Sequence, residues 1–328
     1  GSLVRMTMNT GAAVYVSNGW FYVGNALGAD AKLTVNSGVL SQRLTACDVV
    51  VGANGARGVL EINGGSVVPT RDLVWATGTG YATGYAAVQL NGGLITASRL
   101  YPSTTTGTNV LFLNGGTLRS RDSRTDFMQN LRGAYVQSGG ARFEVPTNTA
   151  VTAAQPLLAD PLSTGGGLTK FGAGMLILSG SNTFTGNLAV NAGDLLLRNA
   201  NGLVAGYAGT ISLSNSASIG LERAGAVATL LPLIPNDMQG RLTLFSVNAS
   251  ENVDFSSRPY MGLGFYGNMT YTGIFTPYLN QYVFAPLNTN NVFSQVIASG
   301  SVTVNGSTNG AIELTGNNSY TGGTVVNG

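Results

Sequence analysis

The chain has 328 residues and a formal net charge of +2, from 16 Lys and Arg against 14 Asp and Glu. Only 9% of its residues are charged, 44% are hydrophobic, and histidine is absent. The regularly spaced apolar residues exclude a disordered chain, and the scattered basic residues exclude a surface that follows nucleic-acid phosphates. Without histidine there is no Ser-His-Asp triad and no histidine-ligated metal. No apolar run is long enough to span a bilayer, so we expect no membrane insertion of this segment.

Residues 1–150 repeat a short phrase in which alternating apolar residues lead into Asn-Gly-Gly or a close variant. Four copies of the phrase carry their asparagine at Asn36, Asn63, Asn91 and Asn114. Period-two alternation predicts short strands with one buried face, and Asn and Gly supply positive-φ corners between them. We predict one solenoid coil about every 25 residues, stacked through parallel hydrogen bonds, with the asparagines in ladders along the axis. The fold class is thus an all-β parallel β-helix, with an antiparallel sandwich or a propeller as the alternative.

Residues 174–193 and 310–328 share a more specific motif, Leu-x-Gly-x-Asn-x-aromatic-Thr-Gly. A single constant offset aligns every shared position of the two copies. The central positions are Asn182, Phe184, Thr185 and Gly186 in the first copy and Asn318, Tyr320, Thr321 and Gly322 in the second. We predict a structural role for them, in which the aromatic ring packs at a bend and closes the apolar interior of the coil.

This motif resembles the passenger-associated transport repeat of bacterial autotransporters. The first copy departs from the family pattern at Phe184 and Asn187, and the second departs at Ser319. The resemblance implies a right-handed parallel β-helix, display at the outer cell surface of a diderm bacterium, and help with passenger secretion. It implies no enzymatic activity.

Residues 200–300 lose the rhythm of the coils. Five of the ten prolines fall in this stretch, and ten of the 27 aromatic residues fall within residues 255–293. Proline interrupts inner strands, so we expect an irregular aromatic- and Pro-rich lobe or broad loops here. The predicted organisation is therefore regular coils over 1–150, coils with the first motif over 151–199, the lobe over 200–300, and continued helix over 301–328.

The lobe's aromatic residues have two interpretations. They form the core of the lobe, or they form an exposed face that stacks on surface glycans. The residues concerned are Tyr260, Phe265, Tyr266, Tyr271, Tyr278 and Tyr282.

No catalytic group stands out in the sequence. Glycoside hydrolysis needs two carboxylates about 5 to 9 Å apart, and the best acidic cluster places Asp122 and Asp126 among three arginines, which is typical of a salt-bridged corner. Cys47, the single cysteine, alternates with Val49 and Val51 and is predicted to be buried. We therefore expect no enzyme, no cofactor and no metal. The predicted function is an extracellular structural or adhesive solenoid, with a carbohydrate-binding or carbohydrate-active β-helix as the alternative.

The two ends of the sequence complement each other. Joined tail to head, the termini read Val-Asn-Gly-Gly-Ser-Leu, close to the Ile-Asn-Gly-Gly-Ser-Val of residues 62–67. We therefore expect an end-to-end junction, either between subunits stacked head to tail in a filament or between neighbouring repeats of one longer chain. Its residues are Val326, Asn327, Gly328, Gly1, Ser2 and Leu3.

Overall fold

The computed structural model describes residues 2–43, 45–76, 84–287, 290–305 and 310–327. Strands make up 48% of the chain and helices 5%, and the strands form a parallel β-solenoid of about 14 turns. The predicted all-β parallel β-helix is confirmed.

The chain divides into two compact units, Gly1–Asn187 with Leu203–Tyr207 and Leu188–Gly202 with Ala208–Gly328. The segment boundaries expected at residues 150, 199 and 300 remain a prediction.

The described strands of the first unit are short and lie mostly three to a coil. In chain order they are β1 (Leu3–Met8), β2 (Ala13–Val16), β3 (Phe21–Val23), β4 (Asp30–Val35), β5 (Val39–Gln42), β6 (Val49–Val51), β7 (Arg57–Ile62), β8 (Ser66–Val68), β9 (Asp72–Trp75), β10 (Tyr85–Leu90), β11 (Leu94–Ala97), β12 (Arg99–Pro102), β13 (Thr108–Leu113), β14 (Thr117–Ser120), β15 (Arg124–Met128), β16 (Gly133–Val136), β17 (Ala141–Glu144), β18 (Ala150–Ala153), β19 (Leu157–Ala159), β20 (Leu168–Phe171) and β21 (Met175–Leu178). A 3-10 turn spans Ala53–Gly55.

These strands form three parallel sheets, each of which takes every third strand: β1 to β19, β2 to β20 and β3 to β21. Three strands therefore complete one coil. In the first sheet Asp30 pairs with Arg57, Arg57 with Tyr85, and Tyr85 with Thr108. The numbers of residues between successive partners equal those between the successive asparagines Asn36, Asn63, Asn91 and Asn114. The asparagine phrase therefore marks the length of each coil.

Alternation fills the interior of each coil with apolar side chains. In β4, Ala31, Leu33 and Val35 are buried, while the residues between them face outward. The corners depend on glycine. Gly65 has a φ of +67°, and a Cβ there would collide with the backbone oxygen of Gly38 in the preceding coil. Only a residue without a side chain permits this close stacking.

The asparagines of the corners form a ladder of side-chain hydrogen bonds along the axis. Each amide nitrogen donates to the amide oxygen one coil earlier, from Asn36 to Asn9 at 3.0 Å, Asn63 to Asn36 at 3.0 Å, Asn91 to Asn63 at 2.9 Å and Asn114 to Asn91 at 3.5 Å. The predicted ladder is confirmed.

The described part of the second unit contains fourteen further strands. They are β22 (Leu188–Val190), β23 (Asp194–Leu197), β24 (Ile211–Leu213), β25 (Ser218–Leu221), β26 (Gly240–Leu244), β27 (Val253–Asp254), β28 (Met261–Tyr266), β29 (Met269–Tyr271), β30 (Phe275–Thr276), β31 (Gln281–Leu287), β32 (Asn290–Phe293), β33 (Ser301–Asn305), β34 (Ala311–Leu314) and β35 (Thr324–Asn327). Its helical segments are α1 (Ala226–Leu230) and 3-10 turns at Leu231–Leu233, Ser246–Asn248 and Tyr278–Asn280.

Within this unit β23, β25, β26, β28, β31, β33 and β35 form one parallel run, and β29, β32 and β34 form another. Strands from residues 200–300 thus take part in these parallel runs, and a short helical excursion and loops lie between them. The lobe or broad loops expected over 200–300 remain a prediction. Most of the prolines in this range lie outside its strands. Pro232 and Pro235 belong to the excursion, Pro259 and Pro277 lie between strands, and Pro286 alone of the five lies inside a strand, β31.

Two side chains form hydrogen bonds to the backbone of the helical excursion, which comprises α1 and the 3-10 turn after it. The Glu251 carboxylate accepts hydrogen bonds from the first backbone amides of α1, including Val227 N at 2.9 Å. The buried guanidinium of Arg258 donates to Ile234 O at 2.7 Å and Leu231 O at 2.8 Å. In the described residues no helix has the length and apolar character that crossing a membrane requires.

Candidate binding groove

The outer face of the third sheet of the first unit carries a groove built on β3, β6, β9 and β12. Parallel pairing places equivalent outward positions of neighbouring coils in columns. One column aligns Tyr22 with Val50, Val50 with Val74, and Val74 with Tyr101. The groove therefore has an apolar floor with one tyrosine at each end.

The groove encloses about 330 Å³, within the range of roughly 300–1,000 Å³ that is usual for small-ligand sites. Its floor is buried, with Val50 only 2% exposed, whereas Trp20 is 48% exposed and Tyr22 is 39% exposed. The lining residues are Trp20, Tyr22, Asn25, Asp48, Val50, Ala53, Asn54, Arg71, Val74, Ala76, Tyr101, Ser103 and Thr104.

A column of ion pairs runs beside the floor, where Asp48, Asp72 and Arg99 each lie two residues before a position of the floor column and Arg71 directly precedes Asp72. The Arg71 Nε lies 2.8 Å from Asp48 Oδ1 and 3.3 Å from Asp72 Oδ2, and Arg99 Nη2 lies 2.6 Å from Asp72 Oδ2. Both carboxylates are buried. The hydrogen bond to Asp48 raises the pKa of Arg71, and that to Asp72 raises the pKa of Arg99.

This ion-pair column does not suit acid–base catalysis. A general base needs a carboxylate that can reach the proton of a bound substrate. The Asp48 carboxylate is held by Arg71, which it meets through both oxygens, and the Asp72 carboxylate is held by Arg71 and Arg99. The arrangement orients polar atoms at the edge of the groove and supports binding rather than turnover.

The aromatic residues of the groove form a partly exposed surface. The Trp20 and Tyr22 ring centroids are 6.2 Å apart at an interplanar angle of 41°, and the Arg71 Cζ lies 6.0 Å from the Trp20 centroid. At the other end the Arg99 Cζ lies 4.7 Å from the Tyr101 ring centroid. Burial raises the pKa of Tyr101, so its hydroxyl keeps its proton at neutral pH.

Sequence analysis did not single out Trp20, Tyr22 or Tyr101. The available signal was the recurrence of outward positions from Tyr22 through Val50 and Val74 to Tyr101. Because the steps between these positions are unequal, a fixed period does not align them, and the strand register is needed.

The six aromatic residues predicted from residues 255–293 do not form one exposed face. Phe265 and Tyr271 are fully buried and Tyr282 is nearly so, which removes their rings from any ligand. Tyr271 packs against Phe265, and its hydroxyl donates to the backbone oxygen of Glu251 at 2.8 Å. These three rings belong to the core of the second unit.

The other three aromatics of that set lie nearer the surface. Tyr266 and Tyr278 are half-buried, and Tyr260 is 59% exposed. The Tyr266 ring stacks on a cation, with its centroid 5.4 Å from the Arg198 Cζ.

The first copy of the repeated motif makes backbone-stapling contacts. Asn182 Oδ1 accepts a hydrogen bond from Leu157 N at 2.9 Å, and the buried Phe184 ring packs edge-to-face on Tyr207 at 6.1 Å. Gly186 O accepts from the Tyr207 hydroxyl at 2.6 Å. Thr185 is exposed.

The second copy repeats the asparagine contact, because Asn318 Oδ1 accepts from Ile297 N at 2.9 Å. Gly322 N donates to Gly300 O at 2.9 Å, as Gly186 N of the first copy donates to Gly166 O at 3.0 Å. Tyr320 is half-buried and its hydroxyl bonds to the hydroxyl of Thr324 at 2.7 Å, while Thr321 is exposed. The motif asparagine therefore ties its own coil to the backbone of the preceding one in both copies.

The described junction residues lie in or next to β1 and β35. Leu3 in β1 and Val326 in β35 are both exposed, as is Ser2, and Asn327 Nδ2 donates to Asn305 Oδ1 at 2.9 Å. Gly1 and Gly328 lie outside the described residues.

The acidic corner is a set of ion pairs, as the sequence predicted. Asp122 lies 3.4 Å from Arg124 Nε, and Asp126 lies 3.5 Å from Arg99 Nη1. Cys47 is buried, which confirms its predicted environment. Among residues 2–43, 45–76, 84–287, 290–305 and 310–327, no group of three or more acidic or cysteine side chains is placed to hold a metal ion.

Comparison with known protein families identifies the same two stretches as the repeated motif. The family model of the passenger-associated-transport-repeat matches residues 168–197 and 309–328. Both copies of the repeated motif, at residues 174–193 and 310–328, thus fall in stretches that are similar to this repeat.

Part of the chain is similar to a bacterial adhesin. A stretch of 98 residues is 37% identical to the "Adhesin BmaC autotransporter" of Brucella suis biovar 1 (strain 1330) and covers 30% of this chain. The match covers 3% of that adhesin's length, so the chain corresponds to a small part of it. No solved structure matches the chain.

Proposed function

We propose that this chain is a non-enzymatic, adhesive segment of an autotransporter passenger, displayed at the outer surface of a diderm bacterium. The carrying observation is that the transport repeats are built into solenoid coils, in a chain related to an autotransporter adhesin. The stacked coils of the first unit present an outer sheet face, and the groove gives that face a concave, partly aromatic site.

The non-enzymatic part of the proposal is supported by the state of the acidic residues. The buried carboxylates Asp48 and Asp72 are fully engaged with arginine side chains. The corner carboxylates Asp122 and Asp126 are likewise paired. A carbohydrate-active enzyme, the alternative function, would need a pair of carboxylates directed at a substrate.

Adhesion is tested with beads coated with the purified chain. We expect coated beads to adhere to epithelial cells or to immobilised extracellular matrix, and soluble chain to compete for that adherence. Beads coated with heat-denatured chain are the control. Adherence no greater than that control would rule out the adhesive role. Turnover of a neutral or acidic polysaccharide that Asp122→Asn with Asp126→Asn abolishes would rule out the non-enzymatic role.

We also propose that further coils pair with the open edges of β1 and β35. The support is the exposure of Leu3 at one edge and of Val326 at the other, because a strand edge with uncovered apolar side chains is a template for another strand. The partner is a second copy stacked head to tail, or a neighbouring repeat of the same polypeptide.

Light scattering after size-exclusion chromatography tests the head-to-tail arrangement. We expect concentration-dependent assembly of the purified chain, little weakened by salt and lost in Val326→Lys. Thr185→Lys, at an exposed position away from both edges, is the matched control and should assemble normally. A chain that stays monomeric at all concentrations would exclude the filament.

A further inference from the structure

We propose that the groove on β3, β6, β9 and β12 binds a neutral oligosaccharide. This inference deepens the proposed adhesive function, on which it rests, by naming the class of ligand that one site recognises. It rests on three features of the groove: exposed aromatic rings, charges neutralised within the groove, and a length of several coils.

The exposed rings are the first feature. Tyr22 is exposed although the column that it begins continues as buried valine, and the neighbouring Trp20 is exposed beside it. An aromatic ring that is half exposed beside an apolar floor leaves a face available for stacking. The C–H face of a sugar ring is apolar and flat, so it fits such a ring, while its hydroxyl groups remain directed at polar neighbours.

The charge balance is the second feature. Among the described residues of the groove lining, Arg71 and Asp48 are the charged ones, and they neutralise each other at 2.8 Å. Asp72 is neutralised in turn by Arg99. The described lining therefore has no excess charge that would attract an anionic or a cationic ligand. Sugar hydroxyls both donate and accept hydrogen bonds and suit a paired carboxylate and guanidinium. The carboxamides of Asn25 and Asn54, joined at 3.0 Å, add a further polar edge.

The length of the groove is the third feature. Tyr22 and Tyr101 are separated by three strand-to-strand steps, or about 14 Å at roughly 4.8 Å a step. A single sugar ring does not span this distance, so the ligand is an oligosaccharide that lies along the solenoid axis.

A glycan array tests the proposal. The probes are printed neutral oligosaccharides of hexose and N-acetylhexosamine, beside sialylated and uronate-containing glycans. We expect binding to neutral probes that is unchanged between low and high salt. Trp20→Ala and Tyr22→Ala should each weaken it about tenfold, since a central aromatic residue commonly carries that share of the affinity. Tyr260→Ala, at a more exposed tyrosine of the second unit, should change it less than twofold.

Tryptophan fluorescence gives an independent readout of the same site. The chain has two tryptophans, Trp20 at the groove and the fully buried Trp75. Acrylamide therefore quenches mainly Trp20, and a bound neutral oligosaccharide should protect that emission. In Trp20→Ala the remaining emission should not respond to the sugar. Circular dichroism of each variant must match the wild type.

The outcomes separate this proposal from the proposed function. Binding only to acidic glycans, with loss at high salt, overturns the neutral-ligand assignment. Binding to no glycan while coated beads adhere overturns the groove proposal and leaves adhesion standing. Binding to neutral glycans without bead adherence supports the groove and contradicts the adhesive role. Equal loss in Tyr260→Ala and Trp20→Ala overturns the location.

Discussion

Asp72 provides the sharpest test of how the outer face of the solenoid is stabilised. Its carboxylate is fully buried and meets Arg99 through Nε at 3.2 Å and Nη2 at 2.6 Å, while Arg71 Nε approaches within 3.3 Å. The substitution Asp72→Asn keeps the size of the side chain and removes its charge. It leaves the Arg99 guanidinium with Asp126 at 3.5 Å as its remaining ion-pair partner.

The cost follows from the burial of the pair. Removing one partner of a buried ion pair costs about 3–5 kcal/mol. Arg71 keeps its pair with Asp48. The Arg99 side chain is 27% exposed, so water can solvate its charge and the loss of stability is smaller. We therefore expect Asp72→Asn to lower the free energy of unfolding by about 3 kcal/mol, at the lower end of that range.

A matched variant on the surface shows whether burial is the cause. Glu144 pairs with Arg119 at 2.9 Å, and both side chains are partly exposed, unlike the fully buried Asp72. Glu144→Gln should cost less than about 1 kcal/mol, as surface ion pairs do. The double variant Asp72→Leu with Arg99→Met, which removes both charges, should regain about 2 kcal/mol relative to Asp72→Asn.

Urea unfolding followed by circular dichroism gives these differences. Because a solenoid can unfold by segments, hydrogen exchange of the β9 and β12 amides is needed to locate the effect. The reasoning fails if Asp72→Asn costs no more than Glu144→Gln, or if the protection of β9 and β12 is unchanged.

Three further predictions concern the coils themselves. Asn63→Ala removes two ladder hydrogen bonds and should lower the free energy of unfolding by about 1–2 kcal/mol. Asn9→Ala removes one and should lower it by about half as much. Urea unfolding measures both, and equal costs would contradict the ladder. Phe184→Ala should cost about 3–5 kcal/mol in thermal unfolding because that ring is fully buried, and the half-buried Tyr320→Ala should cost clearly less. Burial raises the pKa of Tyr207 to about 12, so its contribution to stability is complete below about pH 10 and is lost as pH rises through 12. The difference in phenolate absorbance between wild type and Tyr207→Phe measures that pKa, and a midpoint near 10 would contradict it.

The coil period could be predicted because it is recorded in two independent patterns. Apolar alternation gives the strands, and the asparagines mark one corner of each coil. The spacing of those asparagines therefore reappears in the pairing of Asp30, Arg57, Tyr85 and Thr108. Both patterns follow from local chemistry, and neither depends on distant contacts.

The path of residues 200–300 could not be predicted from the same signals. Proline content argues for an interrupted helix only if the prolines fall in strands, and four of the five fall outside them. The aromatic residues were ambiguous for a different reason. The sequence around Tyr271 does not show whether its ring faces the interior or the solvent. Its burial depends on the register of β29 on β32.

Stacking also explains why this chain carries so few charges. In a parallel solenoid each side chain faces its equivalent in the next coil about 4.8 Å away, where two like charges repel by about 3 kcal/mol at an effective dielectric constant of about 20. An asparagine avoids this cost because its amide donates to one neighbour and accepts from the other, as Asn63 does between Asn91 and Asn36. A carboxylate only accepts, so the adjacent Asp48 and Asp72 need Arg71 between them. In this column the two carboxylates are thus accommodated by arginines from neighbouring positions. The same pairing balances the charges among the described residues of the groove, as the neutral ligand proposed above requires.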